Sequence, residues 1–152
     1  MSKEFIFDAD IVGPWVCEKA GGEYHKGDTA IGLVIDGELK AGLLYNGYTG
    51  ASISMHSRCD DKKAPNMMFY WLIFDYPFNQ LKVKRISGIV SSANKEAQEI
   101  DEKLGFVRET ILRDYFLDGD AIVYVMRREN CRWLELGKRY ATQFRSRPLS
   151  SS

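Results

Sequence analysis

The first half of the chain carries short apolar runs of strand length separated by glycine-rich breaks. Ile53 and Met55 alternate with Ser54 and His56, a spacing that gives a strand one polar face. An Asp36-Gly37 pair between two β-rich runs favours a two-residue hairpin, because both central positions of such a turn need positive φ. The predicted strands are Glu4 to Val12 (or the approach to a strand), Thr29 to Ile35, Leu39 to Tyr45 and Ala51 to Ser57, with a short irregular or helical piece from Pro14 to Ala20.

The second half alternates helical and strand patterns. Pro65 suits the first turn of a helix, and Met67 to Phe74 is apolar all round, which predicts a helix packed on two sides. Pro77 should end or kink that helix near Tyr76. The remaining predicted elements are strands Arg85 to Ser91, Phe106 to Leu117 and Ala121 to Arg127, the last two joined by an Asp118-Gly119 turn, and helices Asn94 to Leu104 and Cys131 to Phe144.

This element order predicts an α/β (α+β) fold with a mixed central sheet and helices packed on its faces. A chain of 152 residues with 45% hydrophobic content is long enough for one complete core. We expect a single domain over residues 1–144 and a disordered tail over residues 145–152. The all-apolar helix and the long final hairpin are surfaces through which a homo-oligomer could form.

Charge and cysteine content exclude several classes of protein. Lysine plus arginine equals aspartate plus glutamate, so the overall charge favours neither nucleic acid nor an anionic membrane. Three widely spaced cysteines and two histidines predict reduced thiols and no metal site. The first five residues have no apolar signal core, and no apolar run is long enough to cross a bilayer, so we expect a cytoplasmic protein without membrane contact.

The block from Arg85 to Phe106 has the order strand, Asn94, amphipathic helix, then Leu-Gly-Phe. With Tyr76-Pro77-Phe78-Asn79-Gln80-Leu81 and the segment Glu129 to Leu134, it resembles the GNAT acyltransferase superfamily, in particular small GNAT-like proteins of phages and prophages. The resemblance covers roughly residues 29–134. It implies the GNAT fold and, if the protein is phage-encoded, a location in the host cytoplasm.

The resemblance also implies acetyl-CoA as acyl donor. The pantetheine would lie between the strand ending near Ser57 and the strand from Arg85 to Ser91, and the pyrophosphate at the start of the next helix. The implied contacts are Met55, His56, Ser57, Lys62, Lys63, Asn66 and Asn94. The loop between Arg58 and Asn66 has no glycine, however, whereas the family usually has a glycine-rich loop there. A solvated charged loop explains this segment as well as a phosphate site does.

Two residues are candidates for proton transfer. His56 could accept a proton from an ammonium substrate, or it could be an ordinary strand histidine packed beside tyrosines. Asp101 lies one turn after Ala97 on the apolar side of its helix, where many GNAT enzymes have a tyrosine that protonates the departing thiolate. It would serve as an acid only with a raised pKa, and the alternative is a helix-edge carboxylate in an ion pair. Asn94 is predicted as a helix N-cap, and Ser54, Tyr45 and Tyr48 as substrate contacts.

The resemblance predicts an N-acetyltransferase that moves an acetyl group to a primary amine by direct attack on the thioester. One alternative is a phage enzyme that modifies nucleic-acid bases, for which the arginine-rich segment after Met126 offers weak support. Another is an inactive GNAT-fold module that binds a partner or a virion, since fold alone does not establish function.

Overall fold

The structure, a computed structural model, describes residues 2–137 and residue 140. In this part of the chain seven strands form one sheet in the order β1-β2-β3-β4-β5-β7-β6, and only β4 and β5 are parallel neighbours. The strands are β1 (Lys3–Ile6), β2 (Thr29–Ile35), β3 (Glu38–Asn46), β4 (Ser52–Cys59), β5 (Arg85–Ser91), β6 (Val107–Phe116) and β7 (Gly119–Arg127). The helices are α1 (Ala9–Ala20), α2 (Met67–Asp75) and α3 (Lys95–Leu104).

Helix α1 covers one face of the sheet, and helices α2 and α3 pack against the main core on the other. Alternate strand residues separate the two clusters: Leu44 packs with Val12 of α1, whereas Leu43 belongs to the larger core that contains α2. A Cβ at Gly32 would lie 2.8 Å from Val12 Cγ2, so this glycine lets α1 approach the sheet closely. The predicted mixed sheet with helices on its faces is confirmed.

The predicted turns are correct in kind. Asp36 and Gly37 join β2 to β3 with φ angles of 50° and 86°, as a type I′ hairpin requires. The second hairpin differs by one residue from the prediction. Phe116 pairs with Gly119, so the loop is Leu117-Asp118 and Gly119 already belongs to β7.

The prediction of a first strand from Glu4 to Val12 is wrong beyond Ile6. The Asp8 side chain accepts a hydrogen bond from Asp10 N at 3.0 Å and caps α1, which then runs through Pro14 to Ala20. Val12, which was predicted at the end of the strand, therefore lies in α1. Val12 and Val16 are one helical turn apart and form part of the buried face of α1.

The predicted helix that begins at Met67 and the predicted helix that begins at Cys131 both differ from the observed structure. The regular part of α2 ends at Asp75 and continues as a π-helical turn, Tyr76–Gln80, that contains Pro77. The segment predicted as a helix from Cys131 to Phe144 begins with a 3₁₀ helix over Arg132–Leu136, and Gly137 and Tyr140 are helical. Residues 138, 139 and 141–144 lie outside the described part, as does the predicted tail. No helix in the described residues is long and apolar enough to cross a membrane.

Candidate active site

Strands β4 and β5 pair for only three residues and then separate. Their shared register runs from Ser52 opposite Arg85 to Ser54 opposite Ser87. Beyond that point β4 continues to Cys59, paired on its other side with β3. Among the described residues, Met55 to Cys59 therefore have no strand partner on the β5 side, and this edge offers backbone donors and acceptors to a ligand. A Cβ at Gly88 of β5 would lie 3.3 Å from the Met55 carbonyl oxygen, so Gly88 lies where the two strands begin to separate.

Two cavities open beside this unpaired edge, one on each side of α3. We call them the α2-side cavity and the hairpin-side cavity. Glu96, Ile100 and Lys103 of α3 line the first, whereas Ala97 and Asp101 line the second. Met55 and Ser57 line both, so the unpaired edge of β4 connects the two cavities.

The α2-side cavity has a volume of about 310 Å³. Its walls are largely apolar and include Leu43, Phe69, Ile73 and Trp133. Its mouth is charged, with cations and carboxylates on facing elements. The charged residues are Arg58, Lys62, Glu96, Glu99 and Lys103.

Most of the charges in the loop before α2 are already paired. Arg58 donates to both carboxylate oxygens of Asp60, at 2.9 and 2.8 Å, and stacks 4.1 Å from the centre of the Trp15 ring. Lys62 Nζ lies 3.8 Å from Glu96 Oε1 of α3, and both side chains are largely exposed. Among the described residues of this loop, Lys62 is the one cation that lies at the cavity mouth and is only weakly paired.

Lys63 and Asn66, which were predicted to contact the cofactor, do not line this cavity. The backbone N–H of Lys63 donates to Asp61 Oδ1 at 3.0 Å and its side chain is exposed. Asn66 caps α2, and its side-chain oxygen accepts a hydrogen bond from Phe69 N at 2.9 Å. The capping role accounts for Asn66 without a ligand.

The hairpin-side cavity has a volume of about 530 Å³. It brings together the end of α1, the unpaired parts of β4 and β5, the start of α3 and the β6–β7 turn. Both residues predicted to transfer protons, His56 and Asp101, line it, and so does Asn94. The structure thus places three candidates from separate parts of the sequence in one cavity.

His56 is held as a neutral imidazole. Its Nε2 lies 3.2 Å from Asn46 Oδ1, so the Nε2–H tautomer donates to Asn46 and leaves a lone pair on Nδ1. Burial lowers the pKa of His56, an effect that the negative charge of Asp28 partly offsets. A Cβ at Gly22 would lie 3.7 Å from Nδ1, so the loop after α1 covers the ring on that side. A neutral imidazole in this position can accept a proton.

The pKa of Asp101 is shifted upward, in the direction opposite to that of His56. Burial, with a smaller contribution from the neighbouring Glu102 carboxylate, raises the pKa of Asp101 to about 7. Glu102 itself points elsewhere, accepting a hydrogen bond from the Tyr124 hydroxyl at 2.6 Å. Near neutral pH Asp101 is therefore protonated in a large fraction of molecules and can donate a proton.

Several solved structures that resemble this chain in architecture are acetyltransferases. A mutant form of the spermidine/spermine N-acetyltransferase SpeG from Vibrio cholerae matches 88% of this chain and 98% of its own with a TM-score of 0.67 and 13% identity. An acetyltransferase of the GNAT family from Bacillus anthracis matches 66% of each chain with a TM-score of 0.55 and 15% identity. The fold is a GNAT fold. The ribosomal-protein-S5-alanine acetyltransferase from Vibrio fischeri matches 82% of this chain and 70% of its own, with a TM-score of 0.57 and 15% identity.

No protein-family model matches the chain, and no curated protein sequence matches it either. At identities of 13% to 15% the structural matches establish the GNAT fold and leave the activity to be argued from the site.

Asn94 is the N-cap of α3, as the sequence predicted. Its Oδ1 accepts a hydrogen bond from Ala97 N at 3.1 Å. Gln98, buried at 4% exposure, was not predicted to have any role. It donates to the carbonyls of Ser91 and Ser92, both at 3.1 Å, and so fixes the start of α3 against the end of β5.

The structure does not bring the three predicted substrate contacts into the hairpin-side cavity. Tyr45 is 1% exposed, and its hydroxyl donates to the Ile73 carbonyl, so it belongs to the core. Tyr48 is exposed in the loop before β4, with its hydroxyl 3.5 Å from the Leu81 carbonyl oxygen. Ser54 occupies the last position of β4 that pairs with β5, and it lies beside Gly47.

The cavity contains other residues that the sequence reasoning missed. Ile89 and Phe116 form apolar parts of its wall, and Asp118 lies at the hairpin turn. One signal was available, because a glycine inside a strand, here Gly88, often marks close approach of a backbone or ligand. The contribution of the hairpin depends on a long-range strand pairing that local patterns do not reveal.

Proposed function

We propose that this protein is an acetyl-CoA-dependent N-acetyltransferase that transfers an acetyl group to a primary amine by direct attack of the amine on the thioester. The observation that carries the proposal is the unpaired edge of β4, where two cavities of a GNAT fold meet. His56 and Asp101 lie in the cavity on one side of α3, and a narrower apolar cavity lies on the other.

The α2-side cavity fits the pantetheine part of acetyl-CoA. The free edge from Met55 to Cys59 supplies backbone groups for its amides, and the apolar walls exclude water from the arm. Lys62 at the mouth would attract the phosphates in exchange for its weak pair with Glu96. When bound, acetyl-CoA would supply an acetyl group activated as a thioester.

The residues of the hairpin-side cavity would perform the proton transfers. His56 would take a proton from the ammonium form of the acceptor and free the amine to attack. The proton would reach Nδ1 through a water molecule, because the loop at Gly22 covers that side of the ring. A backbone N–H of the free β4 edge would donate to the thioester carbonyl oxygen. As the carbon–nitrogen bond forms, the carbon–sulfur bond would break, and Asp101 would donate its proton to the departing sulfur. The acylated nitrogen still carries one surplus proton, which would pass to the Asp101 carboxylate, directly or through water, and leave a neutral amide, while His56 returns its own proton to solvent.

The test is calorimetric titration of the purified protein with acetyl-CoA and with CoA, followed by a screen of primary amines. We expect micromolar binding of acetyl-CoA. Asn94→Ala removes the cap of α3, the helix that lines the α2-side cavity, and should weaken this binding. Asn94→Ser is the matched control, because serine keeps the cap and removes only the amide, so weaker binding by this variant as well would indicate direct contact between the amide and the cofactor. Absence of binding to the folded protein would overturn the proposal.

One observation favours the alternative of a binding module without acetyltransferase activity. The loop before α2 has no glycine, and its Arg58 is occupied by Asp60. A protein that binds no acyl-CoA but forms a stable complex with a partner would support this alternative. The nucleic-acid alternative and the phage origin remain predictions from the sequence.

A further inference from the structure

Exposed apolar side chains are concentrated on one part of the molecule. In the described residues ten large hydrophobic side chains are exposed, and seven of them belong to β5, β6 or the turn that follows β6. These seven are Ile89, Val107, Ile111, Leu112, Tyr115, Phe116 and Leu117. A cluster of exposed apolar residues marks a binding surface more often than isolated ones do.

This apolar surface continues into the hairpin-side cavity. Ile89 and Phe116, which are 41% and 36% exposed, also line the cavity. Tyr115 packs edge-on against Phe116 with their ring centres 5.0 Å apart, and Leu117 is fully exposed at the turn. An apolar ligand in this part of the cavity would therefore contact the hairpin.

The hairpin is held in place against the start of α3. Asp120 N donates to Ser92 Oγ at 3.1 Å, and Ser92 N donates to the Asp120 carbonyl at 2.8 Å. Asp120 Oδ1 also accepts a hydrogen bond from Asp114 N at 2.9 Å, which fixes the irregular end of β6. These hydrogen bonds hold the apolar residues of the hairpin in a fixed position at the cavity wall.

The charged residues that line the hairpin-side cavity suit an acceptor with a single ammonium group. Its charged lining residues are Lys19, Asp101 and Asp118, and Lys19 lies 3.7 Å from the Asp60 carboxylate. Asp118 is then the carboxylate at the hairpin end that is available to attract an ammonium group. An acceptor with three or four ammonium groups would find too few carboxylates among the described lining residues.

We propose that the acceptor is a monoamine with an apolar body, aromatic or branched aliphatic, that packs on Ile89 and Phe116. Its amino group would be attracted by Asp118 and delivered toward His56. This inference rests on the proposed function, which it extends from any primary amine to a particular class.

The test compares three amines as acceptors: 2-phenylethylamine, ethylamine and spermidine. We expect kcat/KM for 2-phenylethylamine to exceed the other two by at least about tenfold, because a fitted apolar group is worth that much in a pocket. Phe116→Ala should remove about tenfold in kcat/KM for 2-phenylethylamine, mainly through KM, and should lower kcat/KM for ethylamine much less, because ethylamine has no apolar body to pack on the ring. Leu112→Ala is the matched control, since Leu112 is equally exposed on the same strand and does not line the cavity.

Direct binding separates this inference from the proposed function. Titration of 2-phenylethylamine by NMR, without acetyl-CoA, should show binding that Phe116→Ala weakens and Leu112→Ala does not. If the amine binds in this way and acetyl-CoA does not, the subsite stands and the acetyltransferase proposal fails. A preference for spermidine, equal effects of the two variants, or a role of Phe116 only in self-association by sedimentation would overturn the inference.

Discussion

At the scale of single residues, the site is distinguished by two groups whose pKa values are shifted in opposite directions by the same cause. Burial disfavours the charged form of each group, so His56 becomes a weaker base and Asp101 a weaker acid. One cavity is therefore lined both by a neutral imidazole that can accept a proton and by a carboxylic acid that can donate one.

The first prediction concerns the pH dependence of turnover. Asp101 must be protonated to act as an acid, so activity should fall as the pH rises through about 7. His56 must be neutral, so activity should also fall as the pH drops through its pKa, which lies below 6.5. Asp101→Asn should lower kcat about 10- to 100-fold and abolish the alkaline decline in a plot of kcat against pH. An unchanged kcat would remove Asp101 from the mechanism.

The second prediction concerns stability and uses the same substitution. The pKa of Asp101 rises from 3.8 in the unfolded chain to about 7 in the fold, so ionisation opposes folding progressively between these values. Above pH 7, Asp101→Asn should raise the free energy of unfolding by roughly 1–3 kcal/mol, after allowance for partial solvent exposure. Near pH 3.5 the two proteins should be equally stable. Urea titrations at both pH values measure this, and equal stability at pH 8 would contradict it.

The sequence predicts the site residues that follow helical or strand periodicity. Periodicity placed Asp101 on the apolar side of a helix and His56 on the polar face of a strand, and cap chemistry placed Asn94 at the helix start. Their proposed roles came from the resemblance to the GNAT superfamily. Phe116 and Asp118 were not found, because they reach the cavity only through pairing of β7 between β5 and β6. Tyr45 was assigned to the substrate because a tyrosine beside a glycine-rich loop looks the same in sequence whether it faces the core or a cavity.

At the scale of elements, α3 forms the wall between the two cavities. Its residues at helical spacing divide cleanly, with Glu96, Ile100 and Lys103 toward α2 and Ala97 and Asp101 toward the hairpin. Gln98 attaches the start of this wall to β5, so both cavities depend on one buried amide.

The third prediction concerns the pair between the loop and this helix. Glu96 competes with an incoming phosphate for Lys62, and both side chains are exposed, so the pair is weak. Glu96→Gln should therefore tighten acetyl-CoA binding about two- to fivefold, and Lys62→Gln should weaken it by a similar factor. Calorimetric titration at low and high salt measures both, with the exposed Lys95→Gln as control. A Lys62→Gln variant that binds as the wild type does would exclude Lys62 from phosphate binding.

Element boundaries were predicted well where turn chemistry was strong. The Asp36-Gly37 hairpin and the Asn94 cap are both in place, because each requires a residue type that few others replace. The start of α1 was missed because Asp8 lies between apolar residues that also suit a strand. The segment predicted as a helix from Cys131 to Phe144 begins instead as the 3₁₀ helix Arg132–Leu136, in which Trp133 Nε1 donates to the Leu104 carbonyl and holds this segment against α3.

At the scale of the whole molecule, the formal net charge is zero, so long-range attraction would do little to collect a charged acceptor. The arginines after Met126 that the structure describes all have partners, and Arg127 lies 3.6 Å from Glu109. Arg132 donates to the Lys103 and Leu104 carbonyls, and Arg128 to Asn79 Oδ1 at 2.7 Å.

The fourth prediction distinguishes a small amine from a nucleic acid as acceptor. Between 50 and 200 mM salt, kcat/KM for an amine acceptor should change by less than about threefold, because one cation meets one or two carboxylates. An enzyme that neutralises several phosphates of a nucleic acid would lose about 10³-fold or more over the same range. Initial rates measured at several salt concentrations decide between the two acceptor classes.

The position of α3 between the cavities also has a consequence for the order of events in a catalytic cycle. The donor and the acceptor would each occupy a separate cavity, and the two cavities share only the short edge of β4 at Met55 and Ser57. Neither molecule would then occupy the cavity of the other, so the two could associate in either order. After transfer, the acetylated amine could leave the hairpin-side cavity while spent CoA is still bound in the other.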